Sequence, residues 1–174
     1  GAKLHKTSRL GPRDLGKIPG KQMPDGSWVG YVGWPELKIT PQEIQTFDTF
    51  EGASVGIRTG EIVGIDIDLM DAQLAEKVEA LAQKCLGPAP IRIGSAPKRL
   101  LPYRTTTPTS KITIDFVHDE TSIEQKLEVL GTGQHFVSEG IHPKTNKPYT
   151  WSGGSPIETG FNGLTEVTPG QVIE

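Results

Sequence analysis

Hydrophobic and polar positions alternate most cleanly in the stretch GIDIDL, where Val63, Ile65, Ile67 and Leu69 take every second place. A period of two predicts a β-strand with one apolar side turned to a core. After Leu69 the period changes to that of a helix. Met70, Leu74, Val78, Leu81, Ala82 and Cys85 fall on one stripe, with Glu76, Lys77, Glu79 and Lys84 off it or at its edge. Asp71 is placed to cap this helix, and Gly87-Pro88 to end it. A shorter helix is expected from Thr40-Pro41-Gln42-Glu43, with Thr40 as N-cap, Pro41 at the first helical position and Glu43 at N3. Residues 53–58 read as a strand that turns through Thr59-Gly60-Glu61 into GIDIDL as a hairpin. Ile112, Ile114 and Phe116 mark a further strand leading to a polar turn at His118-Asp119-Glu120. From Ile123 to Leu130 the alternation puts Leu127 and Val129 on one face and Glu128 on the other. Gly131-Thr132-Gly133 then turns the chain into Gln134–Val137, which predicts a second hairpin.

The two ends are different in texture. Residues 1–36 are rich in glycine and proline, so a long arm with a few extended pieces is expected. Trp28, Tyr31 and Trp34 are suited to anchor that arm, and their spacing would also let them stack on bases. Beyond Ser152 small polar residues dominate. The expected organisation is one domain over 1–160, followed by a tail or linker over 161–174. Strand–helix alternation followed by hairpins makes the fold class α+β.

Composition narrows the setting. The chain has 174 residues, 22% charged and 34% hydrophobic, which suits one soluble globular domain with its own core. No apolar run approaches the ~18 residues of a membrane span, and the basic N-terminus lacks the apolar stretch of a signal peptide. Cys85 is the only cysteine, which excludes an internal disulfide and any multi-cysteine zinc site and fits a reducing, intracellular location. A net charge of −3 gives no global signal for nucleic acid, so such binding would need a local patch.

Two stretches carry candidate chemistry. Asp66 and Asp68 project from one side of a strand roughly 6–7 Å apart, at about 3.3 Å rise per residue. Adjacent acids repel and are poor strand formers, so something must offset them. A divalent cation would do so; two acids on a solvated face is the alternative. The second stretch is basic. Arg92, Lys98, Arg99 and Arg104 fall close together, with no acid between Ile91 and Ser110. The GSAP turn within it could hold phosphates on backbone N–H groups aided by Lys98 and Arg99, although no P-loop motif occurs. A solvated basic hairpin is the alternative there.

Taken in order, GIRTGEIVGIDIDL, RIGSAPKRLLPYRT and LEVLGTGQHFVSEGIHPKTNKPYTW resemble the primase-polymerase domains of the archaeo-eukaryotic primase superfamily. They are most similar to the bifunctional primase/polymerase domains of plasmid, phage and mobile-element replication proteins, over about residues 50–152. The resemblance implies an RRM-like catalytic antiparallel sheet with packed helices, joined to a smaller N-terminal αβ module. It implies Asp66, Asp68 and Glu128 as catalytic ligands of two Mg²⁺ or Mn²⁺ ions. Arg92, Ser95, Lys98, Arg99, Arg104 and His142 become candidate nucleotide contacts, and Arg58 and Arg104 candidate DNA contacts. The second motif departs from the family's serine–x–histidine: here Ser95-Ala96-Pro97 is followed by Lys98-Arg99. A lysine or arginine could do the same electrostatic work without titrating near neutral pH.

The implied activity is template-directed addition of nucleotides to a 3′-hydroxyl, as DNA primase or polymerase. Its partners would be single-stranded template, primer and NTP or dNTP, in the cytoplasm or nucleoid of a bacterial, archaeal or phage-infected cell. No ATPase motif is present, so a helicase would be a separate domain or partner, and the tail at Glu174 suggests a piece of a longer replication protein. Two other classes stay open: a metal-dependent nuclease, for which Lys126 shares the face of Glu128, and a catalytically silent DNA-binding initiation module.

Overall fold

A computed structural model describes residues 3–50, 52–116 and 125–173. The expected turn at His118-Asp119-Glu120 and the expected strand start at Ile123 and Glu124 lie outside them. In chain order the strands are β1 Gly20–Gln22, β2 Trp28–Gly30, β3 Val55–Arg58, β4 Ile62–Asp68, β5 Ile91–Ile93, β6 Arg99–Arg104 and β7 Ile112–Phe116. They continue with β8 Gln125–Leu130, β9 His135–Glu139, β10 Ile141–His142, β11 Lys147–Pro148 and β12 Thr150–Ser152. The α-helices are α1 Pro41–Gln45, α2 Ala72–Leu86, α3 Pro156–Thr159 and α4 Pro169–Ile173.

The GIDIDL strand, β4, sits inside a six-stranded sheet of order β12-β5-β6-β4-β8-β7, every neighbouring pair antiparallel. Its alternation decides which side faces what. Val63, Ile65, Ile67 and Leu69 are buried with Leu101, Tyr103 and Val129 under α2. Each such side chain contributes about 1.5–3 kcal/mol by leaving water. The capping of α2 is as the sequence predicts: the Asp71 carboxylate accepts from the Leu74 N–H at 3.0 Å, and Gly87 ends the helix. The buried stripe is shifted, however. Leu74, Ala75, Val78, Ala82 and Leu86 meet the core, whereas Met70, Leu81 and Cys85 are exposed. The small Ala75 and the i, i+4 row from Leu74 let the helix lie close on the sheet.

Both expected hairpins are corrected. β3 pairs with β9, from Val55 opposite Glu139 to Arg58 opposite His135. β4 pairs with β8, from Gly64 opposite Leu130 to Asp68 opposite Lys126. The two glycine turns are therefore corners crossed side by side by one paired ribbon that bends from one sheet into another. The corners are tied together: the Thr59 N–H donates to the Gln134 carbonyl at 2.9 Å, and its hydroxyl donates to the Gly131 carbonyl. Gly133 has φ +77°, and a Cβ at Gly131 would run into the carbonyls of Thr109 and Ser110. Glycine at these places marks a bend and a close backbone approach.

This bend lays β3 and β9 over the second face of the sheet, where Leu100, Leu130 and Phe136 form a smaller core. The arm packs outside them. Arg58 holds it by donating to the carbonyls of Pro35 (2.7 Å) and Leu37 (2.9 Å). Thr40 and Glu43 cap α1 reciprocally, as predicted. At the other end, residues 161–173 do not trail away. Leu164 and Val167 are buried, and the stretch 165–167 bonds alongside Arg104 where β5 no longer reaches.

Candidate active site

Asp66 and Glu128 are direct cross-strand neighbours on β4 and β8, and Asp68 lies two residues along the same face. All three carboxylates thus project from the side opposite α2, as the alternation predicts. They line a cleft of about 410 Å³ whose other walls include Lys17 of the arm, Arg92, Ser95, Lys98, Lys111, His142, Lys144 and Tyr149.

The acids are unequally compensated. Glu128 is nearly buried, and Lys111 Nζ lies 2.6 Å from one carboxylate oxygen and Lys126 Nζ 3.0 Å from the other. Burial alone would raise its pKa, but the two ammonium groups bring it below the ordinary glutamate value. The hydrogen bond to Glu128 in turn raises Lys126. Asp68 is paired with Lys98. Asp66 forms no salt bridge among the described residues. Burial pushes its pKa up to about 6; Arg92 draws it back, while Asp68 and Glu128 add to the rise. A carboxylate that is costly to ionise beside two others would be relieved by an added positive charge.

Arg92 is fixed from three sides. It donates to the Val137 carbonyl and lies over the rings of Tyr149 (4.9 Å) and Phe136 (5.8 Å). His142 is also held firmly. Its Nδ1 accepts from the backbone N–H groups of Lys144 (3.3 Å) and Thr145 (3.2 Å), and its ring meets Tyr149 edge-on at 5.3 Å. The ring proton therefore sits on Nε2. Burial, then the charges of Lys17, Arg92, Lys144 and Lys98, lower its pKa, so the ring is neutral at pH 7. A Cβ at Gly94 would strike both the His142 and Tyr149 rings. His142, on β10, thus lies against Gly94, the residue before Ser95.

Three of the expected contacts have their side chains engaged by other groups. The Arg99 guanidinium is on the helix side, paired with Glu79 and donating to the Pro97 carbonyl. Arg104, at the far end of β6, pairs with Glu166 and donates to the Leu164 carbonyl. Arg58 holds the arm. Alternation along β6 turns the Arg99 guanidinium to the α2 face although the residue still borders the carboxylate cleft, the length of β6 carries Arg104 away from the acids, and Arg58 lines the cleft between the arm and the β3–β9 pair. Conversely, sequence reading missed Lys17, Lys111 and Lys144. Lys111 was findable, since it shares parity with Thr113, which lies opposite Glu128. Lys17 and Lys144 sit in irregular segments that carry no such signal.

Among the described residues no three His, Cys, Asp or Glu side chains are gathered closely enough to hold a metal ion as they stand. The donor chemistry nevertheless fits Mg²⁺ or Mn²⁺: three hard carboxylates, one without an ion pair and two paired with lysines.

An antiparallel sheet that presents acids to a cation-lined cleft suits a protein acting on polyphosphate substrates. The chain belongs to the bifunctional DNA primase/polymerase N-terminal (Prim-Pol) family, whose model matches residues 19–164. Membership implies a primase/polymerase-type nucleotidyltransferase that binds DNA and nucleotides, in a family that generally uses divalent metals. A search of curated proteins finds no match. No helix among the described residues is long and apolar enough to cross a membrane.

Proposed function

We propose that this domain adds nucleotides to a primer 3′-hydroxyl on a single-stranded DNA template, with Asp66, Asp68 and Glu128 as ligands of two Mg²⁺ or Mn²⁺ ions. The observation that carries this reading is the cleft itself, with carboxylates on β4 and β8 facing Arg92, Ser95, Lys98 and His142. When bound, the ions lower the pKa of the attacking hydroxyl and offset charge on the triphosphate and leaving pyrophosphate. Asp66 is the carboxylate most in need of that charge. Arg92, already fixed, faces the incoming phosphates without having to be ordered. His142 offers its Nε2–H to a phosphate oxygen as a neutral donor. Lys98, which pairs with Asp68 here, would be available to the triphosphate were Asp68 to hold a metal ion. A helicase domain or partner would supply the opened template.

Extension of a labelled primer with dNTPs or NTPs and Mg²⁺ or Mn²⁺ tests this reading. Wild type should lengthen the primer and release pyrophosphate, and the Asp66→Ala, Asp68→Ala double variant should not. Primer shortening with release of nucleoside monophosphate would instead favour a nuclease, the reading that the Lys126–Glu128 pair supports.

A further inference from the structure

The arm and the β3–β9 pair enclose a second cleft of about 620 Å³, within the range of ligand sites. Five of the chain's 11 aromatic residues line it: Trp28, Tyr31, Trp34, Phe47 and Phe50. Ile18, Ile39, Phe47 and Val55 on its walls are each 39–50% exposed, so the apolar surface is open to solvent. Such a concentration of exposed apolar surface marks a binding site more often than chance.

Its position suggests what fills it. Lys17, Ile18, His135 and Val137 line both this cleft and the carboxylate cleft, so the two adjoin. The joint is rigid: His135 Nε2–H donates to the Lys17 carbonyl at 2.6 Å, and Trp34 packs edge-on against the His135 ring at 4.7 Å. One side of the joint is rich in lysine and arginine; the other is aromatic. That change from cationic to aromatic matches a single strand of DNA, whose phosphates need charge and whose unpaired bases need flat apolar faces. A protein partner accounts for the aromatic walls but not for their position next to a cation-lined cleft.

We propose that the arm cleft binds unpaired nucleobases of the template strand, stacked on Trp34 and Phe47, next to the position being copied. This rests on the proposed polymerase reading for the identity of the strand. The arm is then a wall of the substrate channel, held in place by Arg58.

The test compares a fluorescent oligo-dT of about a dozen nucleotides with the same oligomer made abasic, at fixed salt and without metal or nucleotide. Phosphate contacts are common to both probes, so their difference reports base stacking. At ~1–3 kcal/mol per stacked base, wild type should bind oligo-dT more tightly by about 5- to 150-fold for each base stacked. Phe47→Leu, at a half-exposed position, should remove most of that difference with the fold intact, and Phe47→Tyr should keep it. Trp34→Ala should act as Phe47→Leu does. Equal binding of the two probes by wild type would overturn the proposal, as would an undiminished preference in Phe47→Leu. So would self-association through this face that oligo-dT does not compete. The Asp66→Ala, Asp68→Ala protein separates the two readings. If it keeps the base preference while wild type fails to extend a primer, the cleft stands and the polymerase reading falls; extension by wild type without base preference gives the reverse.

Discussion

Replacing Asp66 by asparagine should stabilise the metal-free protein while abolishing its activity. Asp66 is held where ionisation is costly, its pKa raised from 3.8 to about 6 chiefly by burial. At about 1.4 kcal/mol per unit, a fully ionised Asp66 at pH 8 costs roughly 3 kcal/mol relative to the unfolded chain. The sign follows from proton counting. Between pH 4 and 6 the folded protein binds more protons than the unfolded one, so stability falls as pH rises through this window and is level above it. Asparagine keeps the shape and does not titrate. It also leaves Arg92 without its facing charge, which offsets part of the gain. A net gain of about 1–3 kcal/mol at pH 8, some 2–10 °C in Tm for a domain of this size, should shrink towards zero near pH 4. Urea titrations in chelator at pH 8 and pH 4.5 would measure it. Adding Mn²⁺ at pH 8 should stabilise wild type and not the variant, closing or reversing the gap. A variant less stable than wild type at pH 8, or a gain equal at both pH values, would refute the reasoning.

Lys111→Gln and Lys126→Gln together should strengthen Mn²⁺ binding to the free protein several-fold, read by Mn²⁺ spin resonance, because they release both oxygens of Glu128. Unchanged or weaker binding would show that the lysines do not compete with metal. His142→Gln, which retains an N–H donor, should raise the KM for the nucleotide less than His142→Ala does. Wild-type activity should show no loss assignable to His142 until the pH falls below the ordinary histidine value of 6.5, since its ring is neutral above that. Gly131→Ala should cost about 1–3 kcal/mol, measured by urea midpoint, because the added methyl meets the Thr109 and Ser110 carbonyls.

The elements that local pattern specifies were legible in the sequence, and the partners of those elements were not. Alternation in GIDIDL and around Glu128 was enough to place three acids on one face, because side-chain direction in a strand depends only on parity. Caps at Thr40 and Asp71 were legible for a similar reason, being set within four residues. Gly60, Gly131 and Gly133 signalled turns but could not say whether the chain returned on itself or rounded a corner. That choice is made by pairing across some seventy residues, as between Thr59 and Gly131. The basic strip misled in part because proximity in sequence was taken for proximity in space. Arg92 and Arg99 both border the cleft, but the Arg99 guanidinium pairs with Glu79 and Arg104, farther along β6, with Glu166.

The bent ribbon explains why these two kinds of information meet at one site. If β3 and β4 formed a hairpin, β9 could not cross the sheet, and the acids would face open solvent. Because β4 and β8 turn their corners together, β9 carries Val137 over the second face, where its carbonyl receives Arg92. The same turn brings His135 against the arm and leads through Gly140 to His142 beside Gly94. Cations from three separate stretches, at Lys17, at Arg92 and Lys98, and at Lys144, therefore surround acids from only two strands. The acid positions need only a strand and its parity. The cation positions need the corners, so a substitution at Gly131 should disturb substrate binding as well as stability, although Gly131 lines neither cleft.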